Sequence, residues 1–331
     1  MRLDEVLAAV GHPEALDVLA PYWEESVAAL GAGIPCFLRA EQCLVNREWC
    51  GLAPETDTLL LQAARRIVDD QPLRLLAWHC QRLLYDHPDY ENLARWPSLE
   101  GAMGDLSGVF YLLVTMAMVP RIKSIHESMS VPEQVTRDTC SQISCVTGNY
   151  RRMTSGRLGV TLNTLHWLRI YAAGRLFRIG RMEYMLGPFP GGPSVYQHHE
   201  TGETIALASD GVRYDEEGYL VTVDDRAIEG RCWTATLASE GGLIVGHPVS
   251  PYGMALRQQV ALWGSEWECV LKPGDPVLDM HIPAGGGMAL DKCKDSMRQA
   301  VCFFREHFPD RRFRAIASVS WIFGTQLVLL R

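Results

Sequence analysis

The chain has 331 residues, 47% hydrophobic and 21% charged, which suits a soluble protein with a substantial core and excludes disordered or collagen-like classes. Its formal net charge of -8 opposes a sequence-independent grip on nucleic acid or on an anionic membrane. Ten cysteines are scattered without a C-x-x-C pair, so reduced packing thiols in a cytoplasmic protein are expected rather than a disulfide framework or a zinc site.

The start, "MRLDEVLAAVGHPEALDVL", carries early acids and no cleavage-site pattern, and so is not expected to be a signal peptide. Helical spacing dominates as far as about residue 175. In "TDTLLLQAARRIVDD", Leu59, Leu60, Ala63 and Ile67 recur on one face behind Thr56 or Asp57 as a cap. "PLRLLAWHCQRLLYDH" opens on a proline, a favoured helix start. The apolar run "VFYLLVTMAMVP" falls short of the roughly 20 residues that span a bilayer and predicts a buried helix over Val109–His126. Ser130 with Glu133 has capping-box spacing ahead of "PEQVTRDTCSQISCVTGNYRRM". "VTLNTLHWLRIYAAG" closes the half, with Gly174 as its stop.

The pattern then changes to short strands and turns. "LFRIGRMEYML" alternates, "SVYQHHETGETIALAS" predicts a hairpin turning at Thr201-Gly202, and "GYLVTVD", "CWTATLAS", "GLIVGHPV" and "WECVLKPGDPVLDMHI" predict further strands. A helix over about 289–308 and a last strand in "FRAIASVSWIF" follow. The expected fold class is α+β: an all-helical domain over 1–173, then a mostly antiparallel sheet domain over 174–331.

Chemistry concentrates at "VLDMHIPAGGGMALDKCKDSM". Alternation puts Asp279 and His281 on one strand face and Leu278, Met280 and Ile282 on the other. Pro283 ends the pairing, and Gly285, Gly286 and Gly287 allow close backbone approach where a helix exposes its first N–H groups. Such a junction suits an anion, most often a phosphate, although the Walker and Rossmann fingerprints are absent. Met288, Cys293, Met297, Ala300, Val301 and Phe304 form the expected core face of that helix. Lys292, Lys294, Arg298 and Arg305 lie largely elsewhere, as a solvated face or as phosphate contacts.

"RIGRMEY", "EWECVLKPGDPVLDMHIPAGGGM", "CKDSMRQAVCFFREHFP" and "SVSW" resemble a bacterial family that pairs a helical N-acyltransferase N-terminal domain with a GNAT-like C-terminal domain. The resemblance implies a coenzyme A-dependent transfer of an acyl group to a small-molecule amine or peptide acceptor. Acetyl-CoA or another acyl-CoA would be the co-substrate, with no metal, nucleic acid or membrane partner. Residues 277–282 become the strand that carries the thioester. Gly285, Gly286, Gly287 and Met288 become the pyrophosphate cradle, His281 the general base, Asp279 its orienting group, and Ser320 on the partner strand a hydrogen-bond donor.

Two departures stand out. "PAGGGM" lacks the basic or amide residue that opens the family's [QR]-x-x-G-x-[GA] loop, and only "GTQLVLLR" follows the last strand, so the domain is expected to be short at its C-terminus. A non-catalytic binding or interaction protein on the same fold is the alternative. A cupin-like metal site is disfavoured because the position two after His281, where H-x-H needs a second histidine, is Pro283, and because the helix at 289–308 interrupts what should be strands. "QHHE" at 197–200 places adjacent histidines on opposite strand faces, and Arg169, Arg175, Arg178 and Arg181 form either an anion-binding seam or a structural one. The oligomeric state is not encoded in any visible pattern.

Overall fold

The computed structural model describes residues 1–221 and 231–323. Its contacts divide the chain into two units: Met1–Glu183 with Pro283–His307, and Tyr184–Ile282 with the residues from Phe308 onward.

The first unit is helical up to Ala172. Asp57–Asp69 buries Leu60, Ala63, Ala64 and Ile67, close to the face expected from spacing. Gln71–Tyr85 begins where the Asp70 side chain accepts the Leu73 N–H at 3.0 Å. The run expected as one helix is two, Ser107–Met116 and Met118–Ser128. Pro120 supplies the cause: its ring crowds the carbonyl of residue 116, and no N–H is present to bond it. All ten residues of Ser107–Met116 are buried. Taken together, the helical segments over Glu100–Ser128 are long and apolar enough to cross a membrane, yet 78% of their apolar window is buried inside the protein, as in a core helix.

The Ser130 capping box is not formed. Pro132 holds Val131 out of the helical region, and the helix starts at Glu133 with Pro132 as its cap. Glu133 instead accepts a 2.7 Å bond from Arg137 one turn on. Gly174, at φ +63°, ends the last of these helices as expected.

The chain then forms strands β1 (Phe177–Ile179) and β2 (Met182–Pro188), turning at Gly180 with φ +61°. The second unit continues with β3 (Pro193–His198), β4 (Thr204–Ala208), β5 (Arg213–Asp215), β6 (Cys232–Thr234), β7 (Leu237–Glu240), β8 (Leu243–Gly246), β9 (Pro248–Val249), β10 (Val260–Trp263), β11 (Trp267–Leu271), β12 (Pro276–His281) and β13 (Ala315–Ala317). The hairpin β3–β4 turns at Gly202, φ +69°, as its sequence predicts. Part of the strand expected from "GYLVTVD" lies outside the described residues.

Strand order is β11-β3-β4-β9 in one sheet and β10-β8-β7 in another; β5 pairs with β6. These pairings are antiparallel, and β12 with β13 is parallel. The fold class read from the sequence is therefore present, a helical region followed by a mostly antiparallel sheet region.

In the second unit, Tyr196, Leu207 and Leu262 form one apolar cluster, and Ala208, Tyr214, Ala235 and Ala255 form another. The helix Leu290–His307 belongs with the first unit and buries Cys293, Ser296, Ala300, Phe303 and Phe304. Met288, expected on its core face, is 43% exposed.

Candidate active site

In the second unit, the "KPGDP" turn delivers β12. Gly274 sits at φ +87°, and the Asp275 carboxylate accepts the Lys272 N–H at 3.0 Å and lies 3.6 Å from the Arg314 guanidinium. Strand β12 has β2 on one side and β13 on the other, with Val277, Leu278 and Asp279 opposite Ala315, Ile316 and Ala317.

Leu278 and Met280 are buried, while Asp279 and His281 share the other face half-buried, as alternation requires. The structure brings these two together: His281 Nε2 lies 3.3 Å from Asp279 Oδ2. A carboxylate at that distance can hold the imidazole in one orientation.

Ser320 lies beyond β13, which ends at Ala317. Its hydroxyl oxygen accepts the Ile322 N–H at 3.3 Å, in the short 3-10 turn at Trp321–Phe323. Ser318, which the sequence did not single out, donates to the Met280 carbonyl at 2.7 Å and so holds β12 beside the Asp279–His281 pair.

In the first unit, Pro283 is buried and the chain from Ala284 to Leu290 is exposed. Gly285, Gly286 and Gly287 have φ of +82°, +73° and +66°, a run of left-handed residues that other amino acids rarely sustain. Among the described residues, none of the N–H groups of Gly285, Gly286, Gly287 or Met288 donates a hydrogen bond within the protein. They precede an 18-residue helix whose first turn adds further unbonded N–H groups and a positive partial charge.

One carbonyl within the loop and one just before it are contacted. Arg181 Nε donates to Gly287 O at 2.6 Å, and the Cys145 thiol lies 3.9 Å from Ala284 O. Arg178 in turn donates to Cys145 Sγ at 3.4 Å. Two backbone oxygens of this segment are thus contacted while the loop's amides stay unbonded, and a run of unbonded amides ahead of a helix could hold an anion.

Several other side chains make structural contacts within the protein. Arg169 donates to the carbonyls of Leu83, Leu84, Pro88 and Tyr90. His198 Nδ1 accepts the N–H groups of Glu200 and Thr201, closing the hairpin turn. His247 lies 3.2 Å from the Leu256 carbonyl. Lys292, Lys294, Arg298 and Arg305 are exposed. Cys43 and Cys50 are buried packing thiols, and burial pushes Cys43 up to about 12.

Residues 47–174 match the N-acyltransferase N-terminal domain, and residues 176–330 match the GNAT-like C-terminal domain. The chain belongs to this two-domain acyltransferase family. The GNAT-like region holds both the Asp279–His281 pair and the glycine loop.

Solved structures share the fold at low sequence identity. An acyltransferase mutant in complex with octanoyl-CoA is 17% identical, with a TM-score of 0.58 over 97% of this chain and 74% of its own. An acyltransferase in complex with decanoyl-CoA is 19% identical, TM-score 0.56, over 99% and 77%. A third, with decanoyl-CoA and teicoplanin, is 18% identical, TM-score 0.55, over 97% and 74%. No curated protein matches the chain.

Proposed function

We propose that this protein is a coenzyme A-dependent N-acyltransferase that moves an acyl group from an acyl-CoA to the amine of a small-molecule or peptide acceptor. The observation that carries this reading is the Gly285–Met288 loop, whose amides are unbonded while its Gly287 carbonyl is held by Arg181. Residues 1–173 form the helical domain and residues 174–331 the GNAT-like domain of this reading. The acyl-CoA supplies an activated thioester, and the chemistry needs no metal.

An acceptor ammonium must lose a proton before its nitrogen can attack, and His281, oriented by Asp279, is the base assigned to that step. Amides of Gly285, Gly286, Gly287 and Met288 bind the pyrophosphate oxygens. The hydroxyl of Ser320 is kept as a candidate donor to the developing oxyanion. Ten unpaired thiols support a reducing bacterial cytoplasm as the setting.

The test is thermal unfolding of the protein with coenzyme A, acetyl-CoA, octanoyl-CoA and decanoyl-CoA. Ligand at a hundred times its dissociation constant adds about 2.7 kcal/mol, a rise of several degrees for a chain of this size. A saturable rise is expected, followed by release of free thiol from acyl-CoA when an amine acceptor is added. No rise at millimolar ligand would refute the assignment. Binding without thiol release across an amine screen would favour the ligand-binding alternative.

A further inference from the structure

The loop "PAGGGM" has no cationic side chain of its own, and an arginine 106 residues earlier in the chain lies against it. Arg181 sits in the β1–β2 turn of the first unit. Besides its 2.6 Å bond to Gly287 O, its side chain covers Gly286, where an added Cβ would lie 3.3 Å from Nε and 3.4 Å from Cδ. Its Nη1 is shielded from solvent and has no hydrogen-bond partner among the described residues. Nη2 lies 4.0 Å from the Met288 sulfur, and five N–H donors in a rigid fork still exceed what one carbonyl and one thioether can use.

The turn that carries Arg181 is itself fixed to the helix that follows the loop. Ser296, fully buried on that helix, donates to Ile179 O at 2.5 Å and accepts the Met182 N–H at 3.1 Å. Gly180, at φ +61°, lets this turn pack on Ser296, where an added Cβ would stand 3.4 Å from the serine Cβ. Ser296 therefore bonds the residues on either side of the turn, and Arg181 reaches from the turn back to the loop at the start of the same helix.

We propose that Arg181 is the positioning residue of the Gly285–Met288 loop and supplies, from a different part of the chain, the positive charge that the loop's own sequence lacks. The proposal rests on the acyl-CoA reading above. By pulling the Gly287 carbonyl inward, Arg181 turns the adjacent amides outward, and its charge lowers the cost of bringing a pyrophosphate to them.

The experiment compares Arg181→Ala, Arg181→Lys and the unaltered protein for binding of coenzyme A and of pantetheine, which has the same thiol arm and no phosphates. Arg181→Ala is expected to weaken coenzyme A roughly 10–100-fold, the scale of a lost charge-assisted hydrogen bond. Pantetheine affinity should be unchanged, and added guanidinium ion should restore part of the loss. Arg181→Lys, which keeps charge without the planar fork, should lie between. Equal coenzyme A affinity in all three proteins overturns the proposal, as does an equal loss for both ligands. If the unaltered protein binds no coenzyme A, the acyl-CoA reading fails by itself. Positioning by Arg181 is then judged from backbone order parameters of Gly285–Gly287, which must fall in Arg181→Ala for that part to stand.

Discussion

Gly286→Val places a β-branched residue at φ +73°, a region such side chains avoid, with its Cβ 3.3 Å from Arg181 Nε. Because the loop is exposed, the fold should survive, with coenzyme A affinity at least about tenfold weaker by titration calorimetry. Wild-type affinity in the valine variant would dissociate the glycines from the ligand. His281→Ala is expected to lower turnover by roughly 10²–10⁴ while coenzyme A affinity stays within about twofold. Retained turnover would remove His281 as the base. The glycines, Asp279 and His281 were all legible in the sequence, since a strand period and a glycine run are local signals. Arg181 was visible there only as one of four arginines, because its role is set by a contact between segments 106 residues apart.

Segments show the same division between local and distant causes. The helices that begin at Asp57 and Gln71 and the hairpin at Gly202 were legible because cap, proline and turn residues act on their immediate neighbours. The single helix expected over Val109–His126 was not formed because Pro120 breaks its ladder, a rule readable from sequence but outweighed there by the apolar run. Ser296 could not have been assigned in advance, as a serine on an apolar helix face acquires its purpose only when Ile179 and Met182 arrive. Ser296→Ala leaves a buried carbonyl and a buried N–H without that partner. It should cost about 1–3 kcal/mol, seen as a lower midpoint in urea. An unchanged midpoint would mean that the hairpin and the helix are held by apolar contacts alone.

Across the whole chain, change of sequence grammar placed the domain divide near residue 174, close to where the two family matches meet, whereas contacts carry the first unit to Glu183 and return Pro283–His307 to it. That first unit contains two fully buried histidines that make its stability depend on pH. His79 Nδ1 faces Ser26 Oγ at 2.9 Å and its Nε2 faces the Leu19 carbonyl at 2.8 Å, so Nε2 carries the proton of a neutral ring. Burial lowers His79 from 6.5 to about 4, and burial lowers His126, stacked on Phe177, to about 4 as well. A lowered folded-state value means that the unfolded chain binds protons first as the pH falls. The stability from neutral burial is therefore complete above pH 6.5 and lost progressively down to about pH 4. At pH 5 the two together remove about 4 kcal/mol relative to neutral pH, at about 1.4 kcal/mol per unit for each ring. Urea titrations between pH 8 and pH 4.5 should show a plateau and then a fall beginning near 6.5. His79→Gln, whose amide can donate to Leu19 and accept from Ser26 without titrating, should remove about half of that fall. A slope identical to that of the unaltered protein would show that His79 is not the group being protonated on unfolding.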